Sequence, residues 1–174
     1  MPVRQLKPFC VVITGVENSG KTTLSKQLAQ ALGWPWIREA ARYDAAVLEN
    51  RVQPDDLQRL LQTFRHTAPP ADQVLFDTGP IVLNLWAKMR LGLALEGVEE
   101  AMANIDLFLF CRTLPHWEPD PLRSLPRMED RLALEQRYHD ALVNSGRPWA
   151  NLPAVPLNER LVLAKAAIKS HIEP

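Results

Sequence analysis

Gly15-Val16-Glu17-Asn18-Ser19-Gly20-Lys21-Thr22 spells G-x-x-x-x-G-K-T, the phosphate-binding loop of proteins that hydrolyse or transfer nucleotide phosphates. Its flanks fit. The β-branched, apolar run Phe9-Cys10-Val11-Val12-Ile13-Thr14 predicts a buried parallel strand. Thr23 to Leu32 carries Leu24, Leu28, Ala31 and Leu32 at helical spacing, and Gly33 supplies a C-terminal stop. Gly15 and Gly20 permit backbone angles a Cβ would forbid, so successive N–H groups form an anion nest. The helix starting near Lys21 adds its positive end. Lys21 then reaches the β- and γ-phosphates, and the Thr22 hydroxyl is a Mg²⁺ ligand. Gly15, Glu17, Asn18, Ser19, Gly20, Lys21, Thr22 and Thr23 are therefore the candidate ATP-binding residues.

The rest of the chain is consistent with a globular enzyme. Its 174 residues are 47% hydrophobic and 23% charged, which fits a single domain over 1–174 with a substantial core. Lys+Arg and Asp+Glu are 20 each, so no net positive field favours nucleic acid. Cys10 and Cys111 both fall in expected strands and read as small core residues of a reducing compartment. No leader and no long apolar span is evident, which points to the cytoplasm and away from a membrane. His66, His116, His139 and His171 lack ligand spacing.

Moving outward, Trp34-Pro35-Trp36-Ile37 is the expected second strand. It delivers Arg38 and Glu39 to the edge of the sheet where ligands sit. Ala40 to Asn50 has helical composition. Pro54 opens a further helix with Leu57, Leu60, Leu61 and Phe64 on one face. Gln73 to Asp77 is a third strand that presents an acid. Asp77 either serves Mg²⁺ or caps the helix that begins near Pro80. Ile81–Gly92 and Leu93–Asn104 read as helices, with Trp86 in the core. Asp106 to Cys111 is a fourth strand, followed by Arg112. Leu132–Asn144 is a helix with Leu134, Tyr138, Ala141 and Leu142 on its apolar face. Leu152–Leu157 is a weak last strand, and Asn158 is the expected cap of a final helix.

Residues 112–131 have no periodicity and are rich in proline and arginine. A loop of this length inside a domain suits a lid, and its arginines suit a transferring phosphoryl group. Arg123 and Arg127 are the candidates. The alternative is a solvated loop whose arginines pair with Glu118, Asp120, Glu129 and Asp130. Arg112 and the Pro156–Arg160 turn are placed near adenine by position alone. Trp34, Trp36 and Trp117 either stack on a flat ring or pack in the core.

The order of elements predicts a three-layer α/β/α P-loop kinase-like fold with about five parallel strands. No base-reading N-K-x-D of a signalling GTPase occurs. A small-molecule kinase needs an acid at the second strand for the acceptor hydroxyl, an acid at the third for Mg²⁺, and an arginine-bearing lid. Glu39, Asp77 and the 123–131 segment fill those places. Glu39 has an alternative role as a helix N-terminal acid paired with Arg38 or Arg42. The competing class is a regulatory or partner-coupled ATPase without a small-molecule acceptor. An enclosed pocket around Glu39 favours the kinase, and a flat edge favours the switch.

The set G-V-E-N-S-G-K-T-T-L, R-E-A-A-R-Y (38–43), F-D-T (76–78) and W-E-P-D-P-L-R (117–123) resembles the ribosylnicotinamide kinase domain of NadR-type proteins. That family is often grouped under an AAA-type ATPase label. The resemblance implies ATP- and Mg²⁺-dependent phosphorylation of the 5′-hydroxyl of nicotinamide riboside, a nucleoside-like acceptor. It implies Glu39 near that hydroxyl, Asp77 near Mg²⁺, and Asp120 and Arg123 in the lid. The family's acid two residues after the third-strand Asp is Gly79 here, and Pro121 stands where its lid carries Gly.

Overall fold

Strand β1 (Phe9–Gly15) is the centre of the sheet, and its sequence shows why. Both of its faces are buried, so it carries apolar residues almost continuously rather than in alternation. It pairs in parallel with β3 (Gln73–Asp77) on one side and β4 (Leu107–Cys111) on the other. The edge strands are β2 (Trp36–Ile37), against β3, and β5 (Trp149–Leu152), against β4. The sheet order is β2-β3-β1-β4-β5, all parallel. The computed structural model describes residues 8–172; of the polar lead-in at 1–8, all but Pro8 lies outside the described residues.

Alternate side chains of the strands feed two cores. Val11, Ile13, Leu75, Leu107 and Leu109 pack against Leu24 and Leu28 of α1 (Lys21–Leu32) and Ala164 and Ile168 of α7 (Leu157–Ile172). On the other face, Val12, Phe76, Phe108 and Phe110 meet Ile81 and Val82 of α4 (Pro80–Trp86) and Leu134, Tyr138 and Leu142 of α6 (Met128–Ser145). This is the expected three-layer architecture. A third cluster joins Leu57, Leu60 and Leu61 of α3 (Pro54–His66) to Leu83, Ala87, Leu95, Ala41 and Val47. It supports the acceptor end of the site described below.

Several element boundaries differ from expectation. The last strand is Trp149–Leu152, not Leu152–Leu157. Pro153 and Pro156 lack the N–H a strand must donate, so pairing stops at Leu152. Ala40–Asn50 divides into a 3₁₀ turn (Ala40–Tyr43) and the short α2 (Ala45–Leu48). Asp44 makes the break: its carboxylate accepts from the N–H groups of Ala46 (3.0 Å) and Val47 (3.3 Å). Only α5 (Val98–Met102) forms within Leu93–Asn104, and α4 ends in a π-turn over Ala87–Leu91. Gly92 and Gly97, both at positive φ, bound the irregular stretch between them. Helix α6 starts at Met128, so the irregular lid spans 112–127 and Arg131 is helical. Asn158 lies inside the first turn of α7, which begins one residue before it.

Candidate active site

The phosphate loop fills the switch point between β3 and β4, the two neighbours of β1. Gly15 has φ 146°, and a Cβ there would stand 2.5 Å from the Cys111 carbonyl oxygen. Only glycine lets β1 turn under the end of β4. Gly20 (φ 76°) and Asn18 (φ 59°) also take left-handed angles, which give the loop its concave form. The Lys21 ammonium folds back and donates to the Val16 carbonyl at 2.8 Å. The Ser19 hydroxyl is buried without a hydrogen-bond partner.

A cavity of about 310 Å³ opens above the loop. Gly15, Glu17, Asn18, Ser19, Gly20, Lys21, Thr22 and Thr23 all line it. Its far wall is Glu39, Arg42, Trp86, Asp120, Arg123 and Tyr138. Asp77 is 2% exposed and one of its oxygens, Oδ1, has no hydrogen-bond partner. Burial pushes its carboxyl up, against the pull of a Thr22 hydrogen bond and the charges of Lys21 and Arg42. Thr78, next to it, is held at φ 74°, a strained angle for a β-branched residue, with its N–H donated to the Ile13 carbonyl (3.0 Å). A buried acid with a free oxygen beside a threonine hydroxyl is a donor set suited to Mg²⁺, which takes one or two protein oxygens and keeps its remaining positions for phosphate and water. Thr22 and Asp77 are the groups that could hold it.

Glu39 follows β2 and faces the same cavity. Burial raises its carboxyl, and Asp77 raises it further, while Lys21 and Arg42 pull the other way. Arg42 Nε reaches Glu39 Oε2 at 3.1 Å, and its Nη1 reaches Asp120 Oδ2 in the lid at 3.4 Å. Both readings of Glu39 thus meet in one place: it pairs with Arg42 and also fronts the cavity. Behind Glu39 a smaller apolar pocket of about 110 Å³ runs between Ile37, Phe64 and Leu83.

The lid is docked by two side chains of the phosphate loop itself. Glu17 Oε1 accepts from the N–H groups of Ser124, at 2.8 Å, and Leu125. Asn18 Oδ1 accepts from Glu118 N–H (3.1 Å) and from Arg123 Nη1 (3.0 Å), and its amide donates to the His116 carbonyl. Arg123 therefore lies at the cavity, as expected of a lid arginine. Arg127 does not: it is 68% exposed at its side chain and pairs with Glu129. Arg112 also stands apart, over the Phe110 ring (5.4 Å) and against Glu135 (3.0 Å). Trp34, Trp36 and Trp117 do not line the loop cavity. Trp34 meets Phe9 edge-on, Trp36 lies under Arg38, and Trp117 lies under Arg131.

Sequence reasoning missed the roles of four residues. Trp86, read as core, is only partly buried and gives the cavity an aromatic wall. Tyr138 gives it another, and burial followed by the charges of Glu39 and Glu17 pushes its hydroxyl's ionisation up. Arg131, 1% exposed, donates to the carbonyls of Leu125 (3.0 Å) and Pro126 (2.6 Å) and so anchors the end of the lid. Arg160 lies beneath the phosphate loop. A second cavity of about 360 Å³, between Leu114, His116, Pro156 and Leu157, abuts the other side of the loop at Gly20 and Thr23.

A family model described as an AAA domain matches residues 10–160. The chain belongs to that family. Among solved structures it is similar to a NadR protein in complex with NR, with a TM-score of 0.75 and 21% identity over 95% of this chain and 52% of that one. A gluconokinase from Sinorhizobium meliloti matches with a TM-score of 0.61 and 18% identity, over 95% of this chain and 94% of its own. A 54-residue stretch is 41% identical to the cytidylate kinase of Halalkalibacterium halodurans, covering 29% of this chain and 24% of that protein. The AAA-domain chain thus spans about half of the NadR structure and a quarter of the cytidylate kinase. At these identities the solved structures establish the P-loop kinase-like fold expected from the sequence, and they include the NadR type that its motifs resemble.

Proposed function

We propose that this AAA-domain protein transfers the γ-phosphoryl group of ATP to the hydroxyl of a nucleoside-like small molecule, with nicotinamide riboside as the leading acceptor. One observation carries the reading: a largely buried carboxylate, Glu39, faces the phosphate loop across a concave, partly open cavity with aromatic walls, Trp86 and Tyr138. A partner-coupled ATPase has no use for such a pocket. The names of the similar structures, kinases of nucleosides, nucleotides and gluconate, support the same reaction class.

The charges favour a nucleoside over a nucleoside monophosphate. A second phosphate would need free cations at the acceptor end. Arg42 is already held between Glu39 and Asp120. The third acid, Asp77, leaves that end rich in carboxylates. Such a site favours a polyol hydroxyl or a cationic ring, and the aromatic walls suit a flat base.

In the proposed step the acceptor hydroxyl attacks the γ-phosphorus. The new O–P bond forms as the bond to the β-phosphate oxygen breaks, the hydroxyl proton passes to Glu39, and ADP leaves. Lys21 and Arg123 steady the charge on the transferring group, and the lid keeps water out. Bound Mg²⁺, held by Thr22 and Asp77, would neutralise phosphate charge. No described helix is long and apolar enough to cross a membrane, and we place the reaction in the cytoplasm.

The test is ADP release with Mg-ATP against a panel of nicotinamide riboside, cytidine, deoxyadenosine, gluconate, CMP and dTMP, with Lys21→Ala as the blank. A large rise with a nucleoside and none with the monophosphates is the expected result. No rise with any compound would overturn the kinase reading in favour of the ATPase.

A further inference from the structure

Arg160 is 2% exposed, and its three donor nitrogens reach three separate segments. Nε donates to the Pro153 carbonyl after β5 at 2.7 Å, and Nη2 to the Arg112 carbonyl after β4 at 2.8 Å. Nη1 donates to the Ser19 carbonyl in the phosphate loop at 2.5 Å. Among the described residues no carboxylate pairs with it. A buried guanidinium satisfied only by main-chain carbonyls is a costly arrangement unless it fixes something.

The geometry of the peptide bond indicates what it fixes. In a planar trans peptide the C=O of one residue and the N–H of the next point to opposite sides. Arg160 draws the Ser19 carbonyl down and away from the cavity, so the Gly20 N–H of the same plane is turned the other way. Gly20 sits at φ 76°, in the conformation that glycine tolerates. A flip of this one peptide would put a carbonyl oxygen where an anion nest needs a donor.

We propose that Arg160 is a positioning residue that locks the Ser19–Gly20 peptide with its N–H toward the phosphates of the nucleotide. It ties that peptide to the ends of β4 and β5, and Arg160 itself lines the second cavity beside Pro156 and Leu157. The fork of the guanidinium is essential, because an ammonium cannot span three carbonyls in a plane. The inference rests on phosphate binding by the loop and is independent of the acceptor, so failure of the acceptor panel leaves it standing.

The experiment titrates inorganic triphosphate into wild-type protein, Arg160→Lys and Arg160→Met, and follows thermal unfolding in parallel. Triphosphate affinity should fall about 10- to 100-fold in Arg160→Lys, the range for losing a hydrogen bond to a charged group. Arg160→Lys should remain folded at the titration temperature, so that the loss reads the geometry of the loop. Triphosphate affinity equal to wild type in Arg160→Lys would overturn the positioning role. So would a loss of triphosphate binding confined to temperatures at which the melting curve shows the variant unfolded, which marks a merely structural residue. Because Arg160→Met leaves three carbonyls unsatisfied and could fail to fold, the wild-type protein supplies a second readout. The Gly20 amide resonance should move on adding triphosphate, and an unmoved resonance counts equally against the lock.

Discussion

The two ends of the loop cavity are built by different means. At the phosphate end the backbone does the work: glycines at Gly15 and Gly20, a folded-back lysine, and a peptide plane held from below. At the acceptor end side chains do it, through a chain of charges from Glu39 to Arg42 to Asp120. The first end binds one invariant chemical group and needs little variation. The second must recognise a particular molecule, and side chains carry that information. The lid joins the two, since Glu17 and Asn18 leave the phosphate loop to hold it.

Glu39→Gln should separate the ends most sharply. Turnover should fall about 10³-fold, within the range for removing a general base, while ATP affinity is unchanged. Its stability should move the opposite way. Glu39's carboxyl is raised above its usual 4.5 by burial, with Asp77 adding to it. The unfolded chain therefore releases this proton at lower pH than the folded protein does. Stability from this group is full below the unfolded value, and it is lost as pH rises through the raised folded value. The glutamine variant should melt higher than wild type at pH 8, and the gap should close at pH 4. A variant that melts lower at pH 8 would mean that the Arg42 pairing outweighs burial. In the wild type, kcat/KM should fall on the acid side with an inflection above 4.5.

Glu17→Ala tests the join. Two lid N–H groups lose their acceptor, so the lid opens more often and Arg123 is less often in place. Turnover should drop about tenfold, near the net worth of one hydrogen bond to a charged group, because Asn18 still holds the lid. Limited proteolysis between residues 113 and 127 should accelerate. Unchanged cleavage together with unchanged turnover would show that Asn18 alone holds the lid.

The difference between the ends also explains what the sequence revealed. A backbone nest demands particular residue types at fixed spacing, so Gly15, Gly20, Lys21 and Thr22 announce it. Asp77 and Glu39 were legible because a parallel sheet delivers strand ends to one edge. Trp86 and Tyr138 were not, because Tyr138 lies on the same helical stripe as Leu134 and Leu142, and one stripe serves both core and cavity wall. Arg131 and Arg160 were hidden for another reason. Their partners are carbonyls, which every residue has, so no residue type marks the pairing. The last strand was misplaced because Pro153 and Pro156 end pairing where apolar composition continues.

Gly79→Ala probes the seam between the ends. A Cβ on Gly79 would stand 2.9 Å from Val12 Cγ1 and 3.5 Å from Phe64 Cε2. Val12 is a fully buried strand residue and cannot swing aside. The change should cost about 1–3 kcal/mol, the usual range for overpacking, and lower the melting temperature accordingly. The acid that the NadR-type family carries at this point has no room against Val12. A melting temperature equal to wild type would show that the strand yields, and that the acid's absence here has no steric cause.

Arg127→Ala carries the smallest expected effect and sharpens the comparison from the other side. Residue type and spacing offer Arg123 and Arg127 as equal candidates for the transferring phosphoryl group. Their surroundings separate them. Arg123 reaches Asn18 in the phosphate loop at 3.0 Å and lines the cavity. Arg127 points to solvent and spends its charge on Glu129 and Asp130, pairs that water screens. Its removal should change kcat and KM by less than about twofold, as for other exposed ion pairs. Arg123→Ala should lower kcat by about 10²-fold if it steadies the transferring group. A large loss in Arg127→Ala would mean that the lid closes further in the working enzyme, bringing a second arginine over the phosphates, and the acceptor end would then owe its charge balance to a state with both arginines inside.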